Sequence, residues 1–491
     1  MKLRQIGRIT LAAAMTAAIV LGASACSEDY TIDYLYVTGT KGVSTSSPDG
    51  YINAYKVDNQ SGSLTQMVDS PYSSGGINPV DVILSPNGQA LYVLNETSST
   101  IEVFLIGTDG KIYPQATYNL GPAGKAGSYP IAGVVDPTNT YLFVLFNYQS
   151  QYSTNNTGPG GIAIFPISGS SACPATSTNP AQWLCTPLTY ATNATPYYPV
   201  GNKPTAIGVS PLAQIWRPST IYTAGTTVWD GTNVELATSS GTSGSGKPGW
   251  AASAGGTTTD GSVTWKNESP IYSYIYAVDQ ETSGGQILGF LFTTASGSPS
   301  LTALPGTTVI STPLTTTSAT GYAAGVTPYA IAEDPTGRFV YVTDQASNQV
   351  VGYVVQSTGA LQAMVSSPFS TGQFPQGITV DPRGEYVYVT NYNSGTVNGY
   401  AINLATGSLS GVFSNGVSAV GTGPKSVTIE PSFGIYLYTA NYIDNTATGL
   451  QLDPHTGALE NIQNTPFNAT GNPTSVVAAS SGSHAFQAVQ P

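Results

Sequence analysis

Seven times along this 491-residue chain a short apolar strand containing an aromatic residue ends in a polar residue. The copies are Leu35-Tyr36-Val37-Thr38, Leu91-Tyr92-Val93-Leu94-Asn95, Leu142-Phe143-Val144-Leu145-Phe146-Asn147, Ile275-Tyr276-Ala277-Val278-Asp279, Val340-Tyr341-Val342-Thr343-Asp344, Val387-Tyr388-Val389-Thr390-Asn391 and Leu437-Tyr438-Thr439-Ala440-Asn441. Neighbouring copies are 47 to 65 residues apart, except for a gap of 133 residues between Phe143 and Tyr276. A unit of about 50 residues cannot bury its apolar face alone and must stack on its neighbours, so the repeat restricts the fold to a ring or an array.

The sixth copy shows the unit in full. Phe374-Pro375 opens a run to Val380, Asp381-Pro382-Arg383-Gly384 turns the chain, and Tyr386–Asn391, Thr396–Ile402 and a run after Gly407 follow. Four short β-branched and aromatic runs separated by Asp-Pro and Gly punctuation describe one four-stranded blade. Pro-initiated inner strands recur at 79–84, 130–135, 204–209, 328–332, 375–380, 424–429 and 473–477. The first repeat has no inner strand before Leu35, and the chain has a spare one at its far end. The reading is therefore all-β: a seven-bladed β-propeller with four-stranded blades, closed by the C-terminal strand, with Thr474–Val477 beside Leu35–Val37. Such a closure leaves no long open sheet edge.

The first 25 residues carry Lys2, Arg4 and Arg8, then an apolar run and small residues before Cys26. The apolar run is short for a membrane span and reads as an export signal. Ala23-Ser24-Ala25-Cys26 resembles a bacterial lipoprotein signal, although Ala23 stands where Leu is usual. It implies a lipid on Cys26, with ordinary secretion as the alternative. The expected address is the bacterial cell envelope, lipid-anchored or secreted, with the membrane engaged through the anchor alone. Cys173 and Cys185 then stand 12 apart in an oxidising compartment, where a disulfide is expected and two free thiols are the alternative. Beyond the signal, 11 basic residues face 26 acidic ones, and only 8% of the chain is charged. That balance excludes a nucleic-acid partner, which needs a basic stripe. No metal-ligand cluster or phosphate loop is visible, so no metal or cofactor is expected. A monomer is expected.

The long gap marks an insertion. The chain divides into a signal (1–25), a first propeller part (26–210), a Trp-rich small β module (211–269) and a second propeller part (270–491). Four of the five tryptophans, Trp216, Trp229, Trp250 and Trp265, lie in the module. Trp216-Arg217-Pro218-Ser219-Thr220-Ile221-Tyr222, with Gly225 and Val228 following, resembles the opening of small chitin-binding modules of bacterial chitinases. The resemblance implies sugar stacking by Trp216, Tyr222, Trp229, Trp250 or Trp265. The alternative is that so small a unit needs these rings for its own core. The module interrupts an inner hairpin turn and should hang from the face opposite the inner-strand starts.

With Tyr388-Val389-Thr390-Asn391 as the fullest copy, residues 34–210 and 270–480 resemble the lactonase-like seven-bladed propellers, which include bacterial 6-phosphogluconolactonase and the YVTN-repeat surface proteins. The resemblance implies a site over the central channel, built from His, Arg and Glu. A lactone hydrolase needs a base for water and cations for an anionic substrate. Here Gln376 follows Pro375 where Arg is implied, Tyr329-Ala330 follows Pro328 where Arg-His is implied, and Gln345 follows Asp344 where an acid is implied. The two histidines, His455 and His484, stand elsewhere. The channel mouth instead collects Tyr129, Tyr148, Lys203, Tyr329, Gln376, Tyr392, Lys425 and Tyr442 as ligand-binding candidates. Asn95, Asn147, Asn391 and Asn441 read as turn caps, and Asp136, Asp334 and Asp381 as structural turn residues. The expected function is a binding or interaction platform for a glycan, small ligand or protein. The alternative is a 6-phosphogluconolactonase-like lactone hydrolase of altered specificity, with Glu96, Asp279 or Asp344 as base.

Overall fold

The computed structural model describes residues 31–40, 48–120 and 127–481, apart from residues 151, 171, 190–195, 211–213, 223, 225, 231–232, 271–272, 282–283, 294–299, 310–318, 336, 357 and 413–416. The export signal, Cys26 and His484 lie outside the described residues.

Seven antiparallel sheets form the ring. Blade 1 runs from its inner strand Pro473–Ser480 outward through Thr31–Gly39, Tyr51–Asp58 and Leu64–Gln66. Blades 2 to 7 have inner strands Pro79–Leu84, Ser128–Val135, Pro204–Ser210, Pro328–Glu333, Pro375–Val380 and Pro424–Ile429. Each is paired to a second strand: Ala90–Asn95, Tyr141–Tyr148, Ser273–Asp279, Phe339–Asp344, Tyr386–Asn391 and Tyr436–Asn441. The inner strands neighbour one another around the ring, with Pro473–Ser480 between those of blades 7 and 2. The expected closure is present: Val477 pairs with Tyr36, and Ser475 with Thr38.

The recurring tyrosine explains why the ring holds together. Each is buried in its own blade and donates its hydroxyl to a carbonyl of the next: Tyr36 to Gly110 (2.7 Å), Tyr92 to Gln182 (3.0 Å), Tyr276 to Gly359 (2.7 Å), Tyr341 to Gly407 (2.7 Å), Tyr388 to Gly457 (2.8 Å) and Tyr438 to Gly62 (2.6 Å). A buried phenol needs such a partner, and its ring fills the space between sheets. The Tyr438 bond joins blade 7 to blade 1 and so repeats the closure. Blade 3 has Phe143 instead, which makes an edge contact with Phe292 of blade 4 at 4.9 Å.

The loop of blade 3 carries a Cys173–Cys185 disulfide with the Cα atoms 6.6 Å apart. Next to it, Ile167 and Leu184 enter the core shared by blades 2 and 3.

Strands between Gln214 and Pro270 form their own five-stranded sheet, and Ile221–Tyr222 pairs with Gly241–Thr242 in a separate two-stranded sheet. Tyr222 and Trp265 are almost wholly buried there, and their rings meet at 5.0 Å. Trp250 meets Trp265 at 5.8 Å and Trp216 at 6.5 Å, both packed against the same core. This corrects the sugar-stacking expectation for Tyr222 and Trp265, which have no free ring face. Trp216 and Trp250 are half-buried and meet neighbouring rings edge to face, because a small β unit has few other groups from which to build a core. Trp229 lies on the strand Thr227–Trp229.

The module sits on the face opposite the inner-strand starts. Thr227 Oγ1 donates to the carbonyl of Pro335 in the inner turn of blade 5 (2.9 Å). Arg217 shares a cleft of about 610 Å³ with Asn87, Gly88 and Gln89 of the inner turn of blade 2, together with Tyr34 and Ser480.

Candidate ligand site at the channel mouth

Every inner strand contains a register shift just after its first proline. A bulge twists the strand and re-aims the extra side chain. The residues so displaced include Tyr329, Gln376 and Lys425, and all three line the central channel, a cavity of about 240 Å³ walled by all seven inner strands.

A second ring of positions lies one residue beyond the second strands. The amides of Glu96, Gln280, Gln345, Tyr392 and Tyr442 donate to the carbonyls of Asn78, Lys203, Thr327, Phe374 and Gly423. These five are equivalent positions at the mouth. Asp279 and Asp344 stand one residue earlier, where Asn95, Asn391 and Asn441 cap turns in the other blades. Asp344 accepts from the amides of Val326 (3.0 Å) and Thr327 (2.8 Å) and from Gln349. Burial raises its pKa, but hydrogen bonds from Ser347, these amides and Gln349 outweigh it and hold the carboxyl below its ordinary value. Asp279 accepts from the Lys203 amide (2.8 Å) and Gln286 (3.1 Å), and burial pushes it up to about 6. Both are thus engaged as caps, and of the three candidate bases only Glu96 occupies a mouth position.

Glu96 accepts from Asn78 Nδ2 at 2.5 Å. Burial raises its pKa, while Asn78 and the charge of Lys425 pull it down. Lys425 lies 3.9 Å from the ring centroid of Tyr442. Burial depresses its pKa, opposed by Glu96. Burial raises Tyr329, and the charges of Glu96 and Asp81, with Tyr392, add to this. Asp81, deeper in the channel, accepts from Ser475 and the Gly133 amide and is pushed by burial to about 6. One carboxylate, one ammonium and three phenol rings therefore share the mouth.

Two buried amides beside them lack partners. Gln376 Oε1 and Gln345 Nε2 make no hydrogen bond, although these residues are only 6% and 5% exposed. An orphaned acceptor on the channel wall asks for a polar ligand or water.

The remaining candidates fall around the rim. Tyr129 and Tyr148 meet edge to face at 5.5 Å, Tyr392 packs against Phe374 at 6.2 Å, and the Lys203 side chain is exposed. Tyr129 and Phe374 have φ of 61° and 59°. Bulky residues rarely adopt this left-handed backbone, and such strain concentrates at functional sites. Phe374, Gln280 and Gln345 were not among the sequence candidates. Their signal was position: immediately before an inner-strand proline, or one residue past the polar end of the repeated phrase. His455 is exposed in a turn of blade 7, 3.6 Å from Asp453. The described arginines, Arg217, Arg338 and Arg383, all lie on the opposite face; the last two pair with the turn residues Asp334 and Asp381 at 2.9 and 2.8 Å. Among the described residues, the mouth thus has neither histidine nor arginine.

Seven blades around a central channel define a seven-bladed β-propeller. The chain belongs to the lactonase seven-bladed β-propeller family, whose model matches residues 9–171 and 306–419. No curated protein matches the chain. Among solved structures it is similar to a periplasmic gluconolactonase from Pseudomonas aeruginosa, at 16% identity and TM-score 0.57, covering 92% of this chain and 99% of that one. It is also similar to a provisionally named 6-phosphogluconolactonase from Bacteroides uniformis, at 16% identity and TM-score 0.55, covering 92% and 100%. At such identities the likeness is one of fold.

Proposed function

We propose that this protein is a lipid-anchored envelope member of the lactonase propeller family that binds a small polyhydroxylated molecule of the sugar-lactone or sugar-acid class at its channel mouth. The observation that carries this reading is the buried, unpartnered Gln376 Oε1 on the channel wall, which Lys425 also lines, with Glu96 and the tyrosines close to Lys425; Gln345, one residue past the second strand of blade 5, adds an unpartnered Nε2. A polyol offers hydroxyls to such an amide, and its carboxylate or carbonyl end suits an ammonium. The phenol faces suit the apolar faces of a sugar ring. Binding without turnover is favoured because, among the described residues, the mouth has no imidazole and Lys425 is the one cation lining the channel, with Lys203 exposed at the rim. The supporting address is the basic, apolar, Cys26-terminated leader, together with a structural neighbour that is a periplasmic enzyme.

The second reading is slow lactone hydrolysis with Glu96 as base. It is favoured by the burial that raises the Glu96 pKa and by the Asn78 bond that orients the carboxyl. Calorimetry with glucono-δ-lactone and gluconate, paired with pH-stat hydrolysis of the lactone, separates the two. Binding without acid release supports the platform. Acid release lost in Glu96→Gln supports the hydrolase, and no binding of either compound contradicts both.

A further inference from the structure

Each second strand of the ring runs from the face that carries the inner turns toward the channel mouth. Thr31–Gly39 obeys this polarity. Gly39 pairs with Pro473 at the mouth, where inner strands begin. At its other end, Ile32 and Asp33 lie against the inner turn of blade 7: Ser432 Oγ donates to the Ile32 carbonyl (3.3 Å) and to Asp33 Oδ1 (2.6 Å). The Ser481 amide closes the same corner on the Ile32 carbonyl (2.9 Å). The chain therefore enters the propeller on the face opposite the mouth. Tyr34, three residues after Thr31, lines the cleft that Arg217 of the Trp-rich module also lines. Entry point and module share one face.

Cys26 stands five residues before Thr31. Five residues, fully extended, span at most about 18 Å. A lipid on Cys26 would tether this face within that distance of the bilayer. So short a tether leaves the ring little freedom to turn over.

The charge distribution agrees. Residues 211–269 hold three basic side chains (Arg217, Lys247, Lys266) and four acidic ones (Asp230, Glu235, Asp260, Glu268), whereas the rest of the chain after residue 25 holds 8 basic and 22 acidic residues. Per residue the module's net negative charge is about half that of the remainder, so an anionic headgroup surface repels it less. Ile221 of the module also leaves 46% of its surface exposed.

We propose that the module-bearing face rests on a phospholipid surface and that the channel mouth opens away from it. The module then acts as a spacer between bilayer and ring, and the ligand reaches the mouth from the aqueous side. The inference rests on reading Cys26 as lipid-bearing.

The test uses the intact protein extracted from membranes and reconstituted into phosphatidylethanolamine–phosphatidylglycerol vesicles. Fluorophores are placed on Ala252→Cys in the module or Asn393→Cys in a mouth turn, both exposed positions. Energy transfer to a headgroup-labelled lipid is then compared. Several-fold stronger transfer from position 252 than from position 393 is expected. Equal or reversed transfer overturns the orientation while leaving the anchor intact. Mass spectrometry of the N-terminal peptide gives the other arm: a Cys26 without lipid overturns the anchor reading, and the orientation falls with it.

Discussion

The carboxyl of Glu333, at the end of blade 5's inner strand, occupies the space that a side chain at Gly208 of blade 4 would fill. The other inner strands carry Leu84, Val135, Val209, Val380, Ile429 and Ala478 at the position of Glu333. An acid has thus replaced an aliphatic side chain, and a glycine opposite makes room for it. Glu333 Oε1 is buried without a partner.

Burial pushes Glu333 up from 4.5 to about 8. Between those values the folded protein holds a proton that the unfolded chain has lost, so stability falls as pH rises, by about 1.4 kcal/mol per unit in the limit of full coupling. Urea melts from pH 5 to 8 should show this decline, and Glu333→Gln should flatten it. Parallel profiles for the two proteins would show that Glu333 does not carry the effect.

Closure by Pro473–Ser480 is a condition of folding, because it pairs with Thr31–Gly39 and completes the inner ring. A chain ending at Asn472 should lose its cooperative melt and bind dyes that report exposed apolar surface. A synthetic peptide of residues 473–481 should restore part of the transition. A truncated chain that melts like the full one would refute the closure.

The Cys173–Cys185 bond closes a loop of 12 residues. Constraining so short a loop contributes about 2–3 kcal/mol. Replacing both cysteines by serine should lower stability by that amount and raise proteolysis between Ser168 and Leu188. An unchanged melt would mean that the loop is held by Ile167, Leu184 and the Tyr92 bond alone.

The Trp-rich module has its own core around Trp265 and meets the propeller through contacts such as Thr227 with Pro335. Replacing Ile215–Glu268 by a short turn should leave the propeller's melting transition in place, since Ser210 and Tyr274 already face each other in register. Loss of the folded ring would show that the module is an integral part of blade 4.

The architecture was legible because each repeat is local: a proline, an Asp-Pro or Ser-Pro turn and a tyrosine phrase report one blade each. The missing first inner strand and the spare last one then dictated the closure. The site was less legible because bulges decide it. A shift of one residue separates Asp344, a cap, from Gln345 at the mouth, and sequence spacing does not show where a strand bulges. Aromatic residues in the module were ambiguous for another reason, since a sugar platform and a small core call for the same side chains. Burial of Trp265 and Tyr222 decides for the core.

The central claim is that the mouth, and not the module, binds a small polyol acid or its lactone. Isothermal titration of gluconate and glucono-δ-lactone into the wild-type protein, Lys425→Ala, Gln376→Leu and the module deletion tests it most directly. Loss of an ammonium–carboxylate contact costs about tenfold or more in affinity. The account predicts that loss in Lys425→Ala for gluconate, weakened binding of both compounds in Gln376→Leu, and unchanged binding in the module deletion. Equal affinity across the mouth variants, or binding abolished by the module deletion alone, would contradict it.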